Sequence, residues 1–375
     1  MIVDCHYHIF RPWTGACGHT SRGAHIKYLQ KVISTTPART FRARDGAPAD
    51  ARALFREGDP TWDGLTDVDF RVGKYGMLEF AVDGEEYYCH YMPVGMQEIT
   101  APPEMALAQM AYAGVNHAIL HGGGIYGAMN DYNAFAQNQW PDKFTSLMHV
   151  DDAMGGSPEM LAEIERSHHR LGLRGLYFNM DGFARHGFAW PLDDARMEPF
   201  WDRLNALRLV VTAELSAGLR TDAAGYTDNL TRLGGIMKRF PNLSWHLSMS
   251  PPIQFYARGG KWDFPAEVLD IYRRDDVWIE ITYPISWGGV YDYPYPELRA
   301  LIKDARDRLG AERLVWGSDM PNVERFCTYK QSLDYILRYC NFLSDDEKEL
   351  FLGANAARLY NLKEHAARPR PPRMP

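Results

Sequence analysis

The feature that most constrains this chain is a repeated alternation of helix-patterned segments with short apolar runs, beginning near residue 100. "PPEMALAQMAYAG" leads to "HAILHG", "NDYNAFAQNQW" to "FTSLMHV", "SPEMLAEIERSHHRLG" to "LRGLYFNM", and "MEPFWDRLNAL" to "RLVVTAEL". Further on, "YTDNLTRLGGIMKRF" precedes "LSWHLSM", "PAEVLDIYRR" precedes "VWIEITY", and "YPELRALIKDARDRLG" precedes "RLVWGSDM". With "MIVDCHYHIF" as the first strand the count is eight. Gly, Pro or Asn bounds each segment, and parallel strands need such crossover helices. The pattern predicts an α/β fold, a (β/α)8 TIM barrel with its working face at the carboxyl ends of the strands.

The predicted single barrel domain covers residues 1–363, with a cap insertion at about 12–97 between the first strand and the first helix. Within the cap, Asp83-Gly84 separates two β-rich segments, as in a hairpin. C-terminal helices follow the last strand; one carries Ser344 as N-cap with Glu347 completing a capping box. Residues 364–375, "EHAARPRPPRMP", form a Pro/Arg-rich tail that cannot make regular structure alone.

Composition narrows the function. A net charge of −7 and the lack of any long Lys/Arg run argue against nucleic acid as a partner. No window is apolar enough to span a membrane, and the first residues lack the regions of a signal peptide, so a soluble cytoplasmic protein is expected. The five cysteines are scattered and odd in number, which suits reduced packing residues better than a disulfide framework. The Gly122-Gly123-Gly124 run lacks the spacing of a nucleotide fingerprint, so no nucleotide cofactor is expected.

"DCHYHIF" carries the chemistry. Side chains alternate along a strand, so His6 and His8 project together, about 6.6 Å apart along the chain. They are close enough to converge on one metal at about 2.0–2.1 Å. The alternative is two histidines satisfied by backbone hydrogen bonds. "RLVWGSDMPN" then places Asp319 at the mouth of the eighth strand, the neighbour of the first in a closed barrel.

Through "DCHYHIF", "GLRGLYF", "FPNL", "GSDMP" and "LGANAARLYNL", in that order, the chain resembles the amidohydrolase superfamily. The resemblance is to the branch that includes aminocarboxymuconate semialdehyde decarboxylase and the resorcylate-type decarboxylases. It implies a metal held by His6 and His8 from the first strand and Asp319 from the eighth. The histidine usual on the fifth strand is replaced by Glu214, which is also a competent hard ligand. The histidine usual on the sixth falls on Met249, which cannot move a proton. His246, three residues earlier, needs a shifted register to serve, since positions an odd number apart face opposite sides. His121, closing the second strand, and His149, closing the third, are further candidate proton carriers. Without a fourth-strand lysine, and with Asn179 where a bridge would stand, the expectation is one divalent metal per chain, zinc favoured, manganese or iron possible.

The resemblance leaves three functions open. The two departures favour a subunit of a two-component metal-dependent monooxygenase hydroxylating a small amino or carboxylic acid such as 2-aminoisobutyrate. Its partner would be a homologous barrel subunit with its own iron or manganese. The alternative is a mononuclear nonoxidative decarboxylase or hydrolase of a small or aromatic carboxylate. The third is a structural subunit without its own activity.

Overall fold

The computed structural model describes residues 1–35, 40–56, 58–59, 61–215, 222–282, 285 and 291–362. The predicted tail therefore lies outside the described residues. Eight parallel strands form the barrel: β1 (Val3–Tyr7), β2 (His117–Leu120), β3 (Phe144–Ser146), β4 (Gly175–Asn179), β5 (Val210–Glu214), β6 (Ser244–Leu247), β7 (Val277–Ile281) and β8 (Leu314–Trp316). Regular ladders join β1 through β3 and β4 through β8. Two seams close the ring. At one, Met148 N donates to Gly175 O at 2.8 Å and Tyr177 N to Met148 O at 2.9 Å, past the end of β3. At the other, His8 N donates to Met320 O at 2.8 Å and Asp319 N to His6 O at 2.9 Å.

The helices behave as their sequences dictate. Pro158 opens its helix behind Ser157, whose side chain accepts from Met160 N. The capping box at Ser344 and Glu347 forms with both of its bonds. Buried aliphatic and aromatic residues from the strands and surrounding helices, Val211, Leu247, Ile279 and Trp316 among them, form the main core.

The insertion builds a helix, Arg22–Thr35, and a five-stranded antiparallel sheet. Met77–Val82 pairs with Glu85–His90 through Asp83 (φ 50°) and Gly84 (φ 80°). Two consecutive left-handed residues are what a tight hairpin turn with the strands' own twist requires. This unit packs around its own apolar cluster, including Trp13, Leu29, Ile33, Leu78 and Phe80. All five cysteines are free and buried. Among the described residues no helix is long and apolar enough to cross a membrane.

Candidate metal centre

The seam between β8 and β1 builds the site. Because Asp319 N is bonded to His6 O, the residue after the eighth strand is locked beside the imidazoles of the first. Nε2 of His6 and Nε2 of His8 are 3.0 Å apart. Asp319 Oδ1 lies 3.6 Å from the former and 3.2 Å from the latter. All three residues are buried. Ligand atoms about 2.0–2.1 Å from one ion are themselves about 3.0–3.4 Å apart; two of these spacings fall in that range and the third, 3.6 Å, is slightly longer, so the trio needs only a small shift to share a cation.

The outer nitrogens decide what the inner ones present. His8 Nδ1 is 3.3 Å from the carbonyl of His121, which only accepts, so Nδ1 carries that ring's proton. His6 Nδ1 likewise faces Glu280 Oε1 at 2.9 Å. Both Nε2 atoms are then left with lone pairs pointing at each other, and either a proton or a cation has to lie between them. Burial disfavours a charged His6, yet the carboxylates of Glu280, Asp319 and Glu214 outweigh it and push the ring up to about 10. Burial holds His8 below its ordinary value despite Asp319. A divalent ion therefore competes with one proton on His6, and the residues present fit such an ion.

Backbone and packing fix the third ligand. Asp319 adopts φ 57°, a left-handed conformation uncommon for a residue with a side chain. Its Oδ1 accepts from Asn322 Nδ2 at 2.8 Å. Burial opposes its charge, but the His8 contact and the His6 charge keep it below the usual carboxylate value. Asp4 holds the preceding residue, accepting from Ser318 N at 2.9 Å and Ser318 Oγ at 2.6 Å. The β1 register shifts between Asp4 and Tyr7, an irregularity in its pairing with β2 that still leaves His6 and His8 projecting together. Gly317 is steric in purpose: a Cβ there would stand 2.7 Å from Glu280 Cδ and 2.8 Å from His6 Cβ.

The remaining sequence candidates are outside that close trio, some of them beside it. Glu214 is outside the close group formed by His6, His8 and Asp319. Tyr177 donates to its Oε2, and burial raises its carboxyl to about 7 against the pull of His6 and that bond. His246 does not line the mouth. It is level with Thr212, two residues below Glu214, and its Nδ1 is 2.6 Å from the hydroxyl of Tyr360, which caps the last helix. His121 is buried with its ring 4.2 Å from that of His6. Burial, then Arg185, lowers His149 to about 3, so at neutral pH it is uncharged and has no imidazolium proton to give. Met249 follows β6 at φ 53°, which is why register counting into that position fails to place a strand residue there.

Sequence reasoning passed over Glu280, fully buried on β7 with one oxygen near His6 and the other 3.0 Å from His246 Nε2. Its signal was present: a lone acid in the apolar run "VWIEITY". It also missed the aromatic wall. The Tyr126 ring stacks on His8 at 4.1 Å, Tyr177 lies 6.3 Å from it, and Tyr126 is 2.7 Å from Asn322 Nδ2. Beyond them Arg185, 1% exposed, pairs with Asp181 and lies 4.3 Å over the ring of Tyr28 from the cap helix.

Comparison with known proteins places this arrangement. A family model described as Amidohydrolase matches residues 3–362. Among curated proteins none matches. Solved structures share the fold at low identity. A dihydroxybenzoic acid decarboxylase from Polaromonas sp. JS666, with bound manganese and 2-nitroresorcinol, is 18% identical, with a TM-score of 0.52 over 69% of this chain and 86% of that one. A 2,6-dihydroxybenzoate decarboxylase from Rhizobium is 17% identical, with a TM-score of 0.51 over 69% and 88%. A protein described as Amidohydrorolase II is 13% identical, with a TM-score of 0.53 over 96% and 100%.

Proposed function

The chain belongs to the amidohydrolase family, and from that premise we propose that it is a metal-dependent decarboxylase of an aromatic or small carboxylate, acting without oxygen. The observation that carries this reading is the convergence of His6 Nε2, His8 Nε2 and Asp319 Oδ1 with both imidazole lone pairs turned inward. These three residues would hold the metal, which when bound supplies a Lewis acid for a carboxylate and the charge that develops beside it. The decarboxylases among the solved structures support the substrate class.

The chain's own residues supply the rest. Tyr126, stacked between His8 and Phe10, and Tyr177, set against His121, give the imidazoles an aromatic surround of the kind that receives an aromatic ring. Breaking the bond to CO2 leaves an electron pair on carbon, which must take up a proton. Glu214 is the carboxyl beside the centre whose hydrogen-bond partner is a neutral tyrosine rather than a cation, so it can hold that proton and release it. In this reading Glu214 is a proton donor and not the fourth ligand expected from the sequence.

The test is anaerobic incubation of the metal-loaded chain with hydroxybenzoates and with small carboxylates, following CO2 release. Turnover that requires metal and is lost in His8→Ala is expected. The companion-subunit oxygenase stands second, since the named neighbours lend it no support. Activity seen only with oxygen and a co-purifying related barrel would put it first.

A further inference from the structure

Below the ligand trio the barrel interior is unusual in its chemistry. TIM-barrel interiors are layers of packed side chains dominated by branched aliphatics. Here β6 contributes His246, β7 contributes Glu280 and the end of β2 contributes His121, all at most 1% exposed. One ligand atom from each lies within 4.8 Å of the others. Burying three such groups is unfavourable unless each finds a partner.

The partners are incomplete. His246 Nε2 and Glu280 Oε2 are 3.0 Å apart, a buried pair that either a proton or a cation can bridge. His121 has no side-chain hydrogen-bond partner, and only the backbone of Cys5 serves its ring, which leaves one nitrogen uncommitted. A separation of 3.0 Å is also the edge length of a coordination shell with ligands at about 2.0–2.1 Å. The outer side of the cluster is anchored as a ligating histidine requires. His246 Nδ1 meets Tyr360 Oη at 2.6 Å and Thr212 Oγ1 at 3.2 Å, which fixes the ring and aims Nε2 inward.

We infer that His121, His246 and Glu280 form a second metal site, for a divalent first-row transition ion, beside the one held by His6, His8 and Asp319. Two imidazoles and one carboxylate suit zinc, manganese, cobalt or iron and leave at least one position open for water or substrate. Glu280 links the two sites, with Oε1 on the outer nitrogen of His6 and Oε2 toward the second ion. This goes beyond the single ion expected from the sequence. It does not depend on the decarboxylase reading.

The test strips the full-length chain with chelator, reloads it with excess Co(II), removes unbound metal by gel filtration and counts cobalt per chain. Two equivalents are expected in the wild type, falling to one in His121→Asn. His8→Asn should also hold one, with a different visible spectrum, because the remaining ion occupies the other site. A wild-type count of one that is lost in His8→Asn and unchanged in His121→Asn overturns the inference and leaves the upper site standing. A count of one that survives His8→Asn but is lost in His121→Asn upholds the lower site and removes the upper one. The wild-type count decides even if a variant fails to fold, and two equivalents unmoved by both His121→Asn and His246→Asn would also overturn the inference.

Discussion

Nε2 of His6 and Nε2 of His8 face each other at 3.0 Å, each freed of its proton by an acceptor on the far side of its ring. That relationship ties metal binding to pH. His6 is pushed up to about 10 by the surrounding carboxylates, so below that pH an incoming ion must displace one proton. Apparent affinity should rise with pH, about tenfold per unit between pH 6 and 9. Titrations of the stripped chain with zinc at several pH values check the slope; a flat profile would show that no proton is displaced.

Glu280 orients His6 and raises its basicity. Glu280→Gln keeps the shape but lets the amide present either a donor or an acceptor to Nδ1, so His6 loses its enforced tautomer. Affinity at the His6, His8 and Asp319 site should fall about 10–100-fold. Gly317→Ala should act in the same direction, since the added methyl occupies the space between His6 and Glu280. Competition with a metallochromic chelator measures both.

Glu214 offers a sharper division between holding metal and moving protons. Glu214→Gln should retain the upper ion while turnover falls about 10²–10⁴-fold, the usual worth of a positioned acid. Loss of metal together with activity would return Glu214 to the ligand set.

Arg185 ties the cap helix to the barrel through Tyr28, Asp181 and, at 3.8 Å, Asp151. Arg185→Met removes the buried cation opposite Asp181 and leaves that carboxylate only the Tyr28 hydroxyl, while Asp151 keeps His186. The expected cost is about 3–5 kcal/mol, read from urea unfolding. An unchanged midpoint would mean the cap does not depend on this pairing.

Much of this was legible in the chain. The eight alternations give the barrel because helix and strand periods differ, and the seam geometry makes the residues after β8 neighbours of β1. His6, His8 and Asp319 were therefore readable at strand ends. The Asp83-Gly84 hairpin was readable because its turn is local. The pairing of Thr40–Arg42 with Tyr87–Cys89 was not, since the partners are far apart in sequence and no local signal joins them. Glu280 was hidden for a different reason. A lone acid in an apolar strand can face either side, and only barrel closure shows that it points at His6 and His246. His246 itself looked displaced from its expected position, whereas it belongs to a lower layer anchored by Tyr360.

The most direct measurement is elemental analysis of the purified chain beside His8→Ala and Asp319→Asn, with circular dichroism to verify folding. The account predicts a stoichiometric divalent metal in the wild type and a loss of one equivalent per chain in each variant. A folded wild-type chain that takes up no metal at pH 8, or variants that retain the full wild-type content, would contradict it.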